Sequence, residues 1–166
     1  MKQILLVAAA ITGLLSLSMI PAPGRTLPSV VLKRLNGEPV NIQEYGKSGK
    51  ITILSFWASW CAPCKRELDA IAELYPEWQE QYDVNVVAIT IDNARAMSKV
   101  RPIVEQKAWP FEVLSDSNQE LQQALNFQAI PQTYVINTKG EIVYEHSGYQ
   151  PGDEYELEEV IAGLKK

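Results

Sequence analysis

The chain has 166 residues, of which 46% are hydrophobic and 21% charged, as expected for one globular domain with a buried core. Its net charge of −5, without a basic cluster, argues against nucleic acid and anionic lipid surfaces as partners. Two cysteines are too few for a disulfide scaffold, and with one histidine they cannot complete a tetrahedral zinc site without carboxylates. We therefore expect no metal.

The N-terminal segment has the composition of an export signal. Lys2 precedes a largely apolar run at residues 4–20, and the first acidic residue is Glu38. The run is short for a membrane-spanning helix, which favours a cleaved signal over a retained membrane anchor. We assign residues 1–25 to an export signal or anchor plus linker and residues 26–166 to one domain. The predicted location is periplasmic or otherwise extracytoplasmic, with membrane contact through an uncleaved anchor alone.

Turn signals and hydrophobic periodicity predict the first elements of the domain. A Pro/Gly-rich segment, residues 21–28, is interpreted as linker. Asn36 and Gly37, flanked by apolar residues, predict a β-hairpin, and the apolar residues 51–56 predict a strand buried on both faces. After the cysteines, apolar residues spaced by three and four predict an amphipathic helix that Pro76 should kink or break.

The rest of the chain alternates strands with helices. We predict strands at 84–91 and 111–114, helices at 94–107, 119–125 and 154–164, a hairpin formed by 133–136 and 142–144, and an interruption of the first of these helices at Pro102. This order predicts an α/β fold with a central mixed sheet, mostly parallel with an antiparallel edge, flanked by helices on both faces.

The chemistry is expected at Cys61 and Cys64, which lie between the buried strand and the amphipathic helix. A pair at this spacing can close and reopen a small disulfide ring with little backbone movement. Cys61 should lie at the start of the helix, with Pro63 in its first turn, where the helix dipole favours a thiolate. Cys64 should be shielded, so that Cys61 attacks a partner disulfide and Cys64 resolves the mixed disulfide. A static structural disulfide or two inert core thiols are the alternatives.

Residues 56–64, Phe-Trp-Ala-Ser-Trp-Cys-Ala-Pro-Cys, resemble the active-site segment of thioredoxin-fold proteins. More closely, the chain resembles the exported TlpA/ResA-like thiol:disulfide oxidoreductases. The resemblance runs from Leu27 to the end and includes the hairpin at 35–37, Trp-Pro-Phe at 109–111 and Ile-Pro-Gln-Thr at 130–133. It implies a thioredoxin-like fold with an N-terminal β-hairpin extension and no cofactor beyond the redox-active disulfide. It also implies protein thiols and disulfides as substrates, a membrane thiol reductase as electron donor, and a monomer.

The resemblance assigns substrate contacts around the cysteine pair. Pro131 matches the family's cis-proline, which lies against the cysteines, and Ile130 before it would contact the incoming peptide. Without the resemblance, a trans proline at the start of a strand is the simpler interpretation, because cis is the minority form. Trp60 and Pro63 are expected to contribute to the docking surface, although Trp60 could equally be an apolar cover for the helix start.

Glu67 matches an acidic residue of the ResA-like branch and could accept the proton of Cys64 if burial raised its pKa. A solvated charge in the first turns of a helix is the alternative. Ser55 stands where cytosolic thioredoxins carry a buried aspartate, which makes Glu67 or a water the better proton acceptor here. The sole histidine, His146, is interpreted as an exposed residue at a strand end, and Trp57 as core.

The leading functional hypothesis is an exported thiol:disulfide oxidoreductase that keeps particular protein thiols reduced, as in cytochrome c maturation. A thiol peroxidase is one alternative, but the Pro-x-x-x-Thr-x-x-Cys arrangement that it needs is absent from the sequence. The other alternative is a non-enzymatic Cu(I) or haem chaperone that uses the two thiolates as soft ligands.

Overall fold

The computed structural model describes residues 24–165, which form a seven-stranded mixed sheet covered by helices. The elements in chain order are β1 (Val31–Arg34), β2 (Pro39–Asn41), α1 (Gln43–Gly46), β3 (Thr52–Trp57), α2 (Ala62–Tyr82), β4 (Asn85–Thr90), α3 (Met97–Lys107), β5 (Glu112–Ser115), α4 (Glu120–Leu125), β6 (Gln132–Ile136), β7 (Ile142–Ser147) and α5 (Asp153–Leu164). The strand order is β2-β1-β5-β4-β3-β6-β7. Strands β3, β4 and β5 are parallel, and every other neighbouring pair is antiparallel. The predicted α/β fold class with a mixed sheet flanked by helices and the N-terminal β-hairpin are confirmed. The sheet is not mostly parallel, however: only two of its six neighbouring pairs are parallel, because antiparallel strands lie on both sides of the β5-β4-β3 centre.

Strand β3 lies inside the sheet and is buried at all six positions, as its continuous apolar sequence predicts. Because side chains alternate across a strand, Ser55 and Trp57 point to one face and Phe56 to the other. Ser55 contacts Glu67 of α2, whereas Phe56 packs against Phe127, which follows α4. The site therefore belongs to the face of the sheet that α2 covers.

Helix α2 runs without interruption through Pro76, and α3 runs through Pro102, so the predicted breaks are wrong. In α2, buried side chains lie on both sides of the proline, from Leu68 to Trp78. Their burial stabilises the two halves against the same sheet face, which outweighs the lost backbone hydrogen bond at an exposed position.

The segment just before β1 is part of the domain. The carbonyl of Arg25 accepts a hydrogen bond from Ile142 N at 2.7 Å, Thr26 forms a bridge with Glu141, and Leu27 is 2% exposed. The linker interpretation is therefore wrong for these residues. The rest of the predicted export segment, residues 1–23, lies outside the described residues. Within residues 24–165, no helix is long and apolar enough to cross a membrane.

Candidate active site

The two cysteine sulfurs form a disulfide at the N-terminus of α2. Cys61 is the N-cap residue, and its Sγ accepts a hydrogen bond from the backbone N–H of Cys64 at 3.3 Å. Proline in the first turn fits there because its missing N–H would have had no partner in the helix. Cys61 is 5% exposed and Cys64 is fully buried, so the order of accessibility is as predicted, although Cys61 is far from freely exposed in the disulfide form.

The electrostatics of this helix start favour an anionic sulfur at Cys61 once the disulfide is reduced. The first turn of α2 contains no acidic residue, and the free N–H groups carry the positive end of the helix dipole. Lys65 lies in the same turn, where its Nζ donates to the carbonyl of Ser59 at 2.9 Å. These groups stabilise a thiolate relative to a thiol.

A buried carboxylate holds the loop that leads to the cysteines. Asp92, which follows β4, is 1% exposed and accepts hydrogen bonds from both the backbone N–H and the hydroxyl of Ser59, each at 2.7 Å. Thr90 Oγ1 donates to the same carboxylate at 2.6 Å. Asp92 therefore fixes the backbone two residues before Cys61. Sequence reasoning missed it because nothing in the letters places residue 92 beside residue 59.

The segment between α4 and β6 lies at the same end of the sheet. The Ile130–Pro131 peptide bond is cis, as the resemblance implies, and Pro131 is buried. Because Gln132 pairs with Phe56 in the antiparallel β3–β6 ladder, Pro131 lies next to the end of β3, where the cysteine loop begins. The carbonyl of Pro131 accepts a hydrogen bond from Gly148 N at 2.8 Å, which ties the segment to the end of β7.

Trp60 and Ile130 give this end of the sheet an apolar surface. Trp60 is 68% exposed, which contradicts the alternative that it covers the helix start. Ile130 is half-buried, and so is Pro63 between the two cysteines. Trp57, by contrast, is fully buried in T-shaped contact with Trp109, as expected for a core residue.

Glu67 is buried, one turn along α2 from Cys64 and on the same side of the helix. Its side chain is 5% exposed and accepts hydrogen bonds from Thr133 Oγ1 at 2.7 Å and Ser55 Oγ at 3.1 Å. Burial raises its pKa to about 7, against the opposing effect of the two hydroxyl donors and His146. The solvated alternative is therefore wrong, and Glu67 can take up or release a proton near neutral pH.

His146 is closer to the site than the sequence suggested. Thr133 pairs with Ser55 on one side and with His146 on the other, so one row of side chains crosses β3, β6 and β7. His146 and Glu67 line the same small cavity, and His146 Nε2 lies 3.1 Å from Asp153 Oδ2. His146 lies at the end of β7, as predicted, but it is half-buried and paired with Asp153 rather than exposed. Within residues 24–165, no three His, Cys, Asp or Glu side chains are grouped as metal ligands.

Comparisons with known proteins identify the class. A family model described as AhpC/TSA matches residues 23–145. The chain is 31% identical over 121 residues to "Thiol-disulfide oxidoreductase ResA" of Geobacillus kaustophilus (strain HTA426), covering 73% of this chain and 67% of that protein. It is 32% identical over 134 residues to "Thioredoxin-like protein YneN" of Bacillus subtilis (strain 168), covering 80% and 76%. The solution structure of an uncharacterized thioredoxin-like protein from Porphyromonas gingivalis superimposes with a TM-score of 0.75 at 38% identity, covering 86% and 94%.

The fold is thus thioredoxin-like, and its cysteine pair makes the protein an oxidoreductase of the thiol-disulfide class. The chain belongs to the AhpC/TSA family.

Proposed function

We propose that the protein is an exported thiol:disulfide oxidoreductase that reduces disulfides in particular protein substrates. The observation that carries the proposal is the Cys61–Cys64 disulfide at the N-terminus of α2, which can open to give a thiolate stabilised by the helix end. No cofactor is required, because the two sulfurs hold the two electrons that are exchanged.

The reaction proceeds in two exchanges. The Cys61 thiolate attacks one sulfur of the substrate disulfide, forms a mixed disulfide and releases the other substrate sulfur as a thiolate, which takes up a proton. Cys64 then loses its proton and attacks Cys61, so that the second substrate sulfur leaves as a thiolate and is protonated. The cysteine pair ends as the disulfide, and the substrate ends with two thiols.

Glu67 is proposed as the base for the second exchange. It lies one turn from Cys64, and a pKa of about 7 lets it accept the thiol proton at neutral pH. Its hydrogen bonds with Ser55 and Thr133 orient the carboxyl group. Ser55, which stands where cytosolic thioredoxins carry a buried aspartate, thus orients the carboxylate that is proposed to act as the base in its place.

Substrate binding is assigned to the surface around the cysteines. The exposed ring of Trp60 and the half-buried side chain of Ile130 offer apolar contacts. Pro63, between the two cysteines, and Pro131, next to the end of β3, donate no backbone N–H groups. A protein segment, rather than a small thiol, fits an open apolar surface of this kind.

Similarity to known proteins and the composition of the N-terminal segment support the rest of the proposal, which concerns the direction of electron flow, the location and the partners. The relative from Geobacillus kaustophilus is named a thiol-disulfide oxidoreductase. The segment at residues 1–25 supports export, and an extracytoplasmic reductant needs a source of electrons, which we assign to a membrane thiol reductase. A role in cytochrome c maturation and a monomeric state complete the proposal.

The function is tested by reduction of a protein disulfide, with insulin as the substrate and dithiothreitol as the electron source. We expect Cys61→Ser to abolish turnover and Ser48→Ala, a change in the exposed turn that precedes β3 at the end opposite the cysteines, to leave it intact. A fully active Cys61→Ser variant would end the proposal. Peroxide consumption by the wild type in place of insulin reduction would point to a peroxidase, and tight Cu(I) binding without turnover would point to a chaperone.

The partner is tested by trapping. With Cys64→Ala the mixed disulfide on Cys61 cannot be resolved, so the substrate stays attached. We expect one dominant protein in extracytoplasmic extract. A broad mixture of captured proteins would contradict the assignment of particular substrates and favour a general reductase.

A further inference from the structure

A small cavity lies beside the carboxyl group of Glu67. Its volume of about 10 Å³ is close to what one water molecule needs. The titratable side chains that line it come from α2, β7, the β7–α5 turn and α5: Glu67, Tyr144, His146, Tyr149, Asp153 and Glu154. Glu67 is 5% exposed, whereas 29% of the His146 side chain is exposed to solvent. His146 therefore borders both the cavity and bulk water.

We propose that His146, held by Asp153, carries protons between Glu67 and solvent. The inference rests on the proposed function, in which Glu67 takes the proton of Cys64. A carboxyl group buried between α2 and the sheet exchanges protons with solvent only through the groups that line it, and it must return to its ionised form before each resolution step. His146 acts through Glu67 and is therefore a positioning residue for proton transfer.

The other groups around the cavity are poorer carriers. Burial, together with neighbouring carboxylates, raises the pKa of Tyr144 and of Tyr149 to about 12, so both phenols keep their protons at neutral pH. Glu154 already accepts hydrogen bonds from the Tyr149 hydroxyl and from Gly152 N, both at 3.0 Å. Imidazole is the side chain whose ordinary titration range lies nearest neutrality.

The geometry of His146 suits the role. Its Nε2 is 3.1 Å from Asp153 Oδ2, and this carboxylate is itself fixed by Gln150 N at 2.7 Å. The pairing orients the ring and leaves Nδ1 for water. The ring also stacks on Tyr144, with an interplanar angle of 2°.

The proton balance closes over one oxidation of the cysteine pair. The Cys64 thiol gives its proton to ionised Glu67 as its sulfur bonds to Cys61 and the electron pair leaves with the substrate sulfur. Glu67 passes the proton to an unprotonated ring nitrogen of His146 through a water that the cavity has room for, and His146 releases it to solvent. Glu67 is then ionised again and His146 is back in its starting form.

The test is steady-state turnover of a synthetic peptide disulfide, with excess dithiothreitol as the electron source, at low and at high imidazole concentration, because Glu67 must be ionised again before each new resolution step. At low imidazole we expect His146→Gln to slow turnover about tenfold, below the usual contribution of a general acid or base because the first transfer to Glu67 is kept. High imidazole should restore most of the rate, since a small base can replace the lost ring. Asp153→Asn should behave in the same way, and Glu159→Gln, which removes an exposed carboxylate of the same helix, should match wild type.

A second readout does not depend on activity. A protonated His146 lowers the pKa of Glu67, so His146→Gln, which cannot carry that charge, should raise the midpoint of the Glu67 titration followed by infrared spectroscopy of the oxidised protein. An unchanged turnover rate in His146→Gln, a slowed rate that imidazole leaves unrestored, or an unmoved Glu67 midpoint would overturn the inference. Wild type that fails to react with the peptide disulfide would instead overturn the proposed function.

Discussion

At the scale of single residues, the buried Glu67 makes the stability of the protein depend on pH. Its pKa is about 7 in the folded protein and 4.5 when it is free of the fold. Between these values the folded state keeps a proton that the unfolded state has lost, so stability falls as pH rises through this window. One pKa unit corresponds to about 1.4 kcal/mol, which makes the total loss about 3 kcal/mol.

We predict that Glu67→Gln removes this dependence. The free energy of unfolding is measured by urea titration of the oxidised protein. The difference between variant and wild type should shift in favour of the variant by about 3 kcal/mol when the pH rises from 4.5 to 7. Glu159→Gln is the matched control, because it removes an exposed carboxylate, and its curve should run parallel to wild type. Parallel curves for Glu67→Gln as well would show that the carboxyl group does not titrate as described.

The two hydrogen bonds that Ser59 donates to Asp92 give a second prediction. Asp92→Asn replaces one acceptor oxygen by an N–H₂ donor, which faces donors on Ser59 or Thr90 in a buried setting. We expect a loss of about 2 kcal/mol in the free energy of unfolding, and a loss of about 1 kcal/mol for Ser59→Ala. In urea titrations the double variant should lose clearly less than the sum of the two single losses. Additive losses would mean that the two residues are not coupled.

Site residues that belong to a recognisable sequence motif could be predicted from the sequence. Residues that only the fold brings to the site could not. Cys61, Cys64 and Pro131 carry motif information, and Glu67 was recognised by the resemblance to the ResA-like branch, which has an acidic residue at this position. Its burial could not be known, because that depends on which face of α2 meets the sheet. Likewise, the row that joins Ser55, Thr133 and His146 exists through strand pairing alone.

At the scale of elements, α2 shows how tertiary burial overrides a local rule. Pro76 is exposed within a helix whose buried residues extend on both sides of it. We predict that Pro76→Ala raises the free energy of unfolding by about 1–2 kcal/mol, because the regained backbone hydrogen bond outweighs the greater freedom of the unfolded chain. Urea titration measures the change, with Glu80→Ala at another exposed position of α2 as the control, for which no comparable gain is expected. A loss of stability in Pro76→Ala would mean that the proline stabilises the folded protein at this position.

At the scale of the whole molecule, periodicity predicted the buried strands and the longer helices, which an apolar run or stripe marks, but it missed α1, which has no buried residue. It could not predict how the N-terminal extension joins the core. Arg25 and Thr26 bond to the start of β7, and α1 ends against the β6–β7 turn. These contacts pair residues more than 90 positions apart, and none has a sequence signal of its own.

Among these contacts, Gly140 packs against the backbone of Gly46 with no room for a side chain. A Cβ on Gly140 would lie 2.5 Å from the carbonyl oxygen of Gly46, and Gly140 also has a φ of +83°. Gly148 has a similar φ of +88° but open space around it. The two glycines therefore separate steric crowding from backbone strain.

We predict that Gly148→Ala costs about 1 kcal/mol, which is the strain of a left-handed conformation. Gly140→Ala should cost about 1–3 kcal/mol more, because α1 must also move away from the β6–β7 turn. Urea titration of both variants measures the difference, and proteolysis within residues 24–46 should accelerate in Gly140→Ala alone if the extension loosens. If the two variants lose the same free energy of unfolding, α1 moves away from the β6–β7 turn without an energetic penalty. The pairing of β1 with β5 would then be what holds the N-terminal extension to the core.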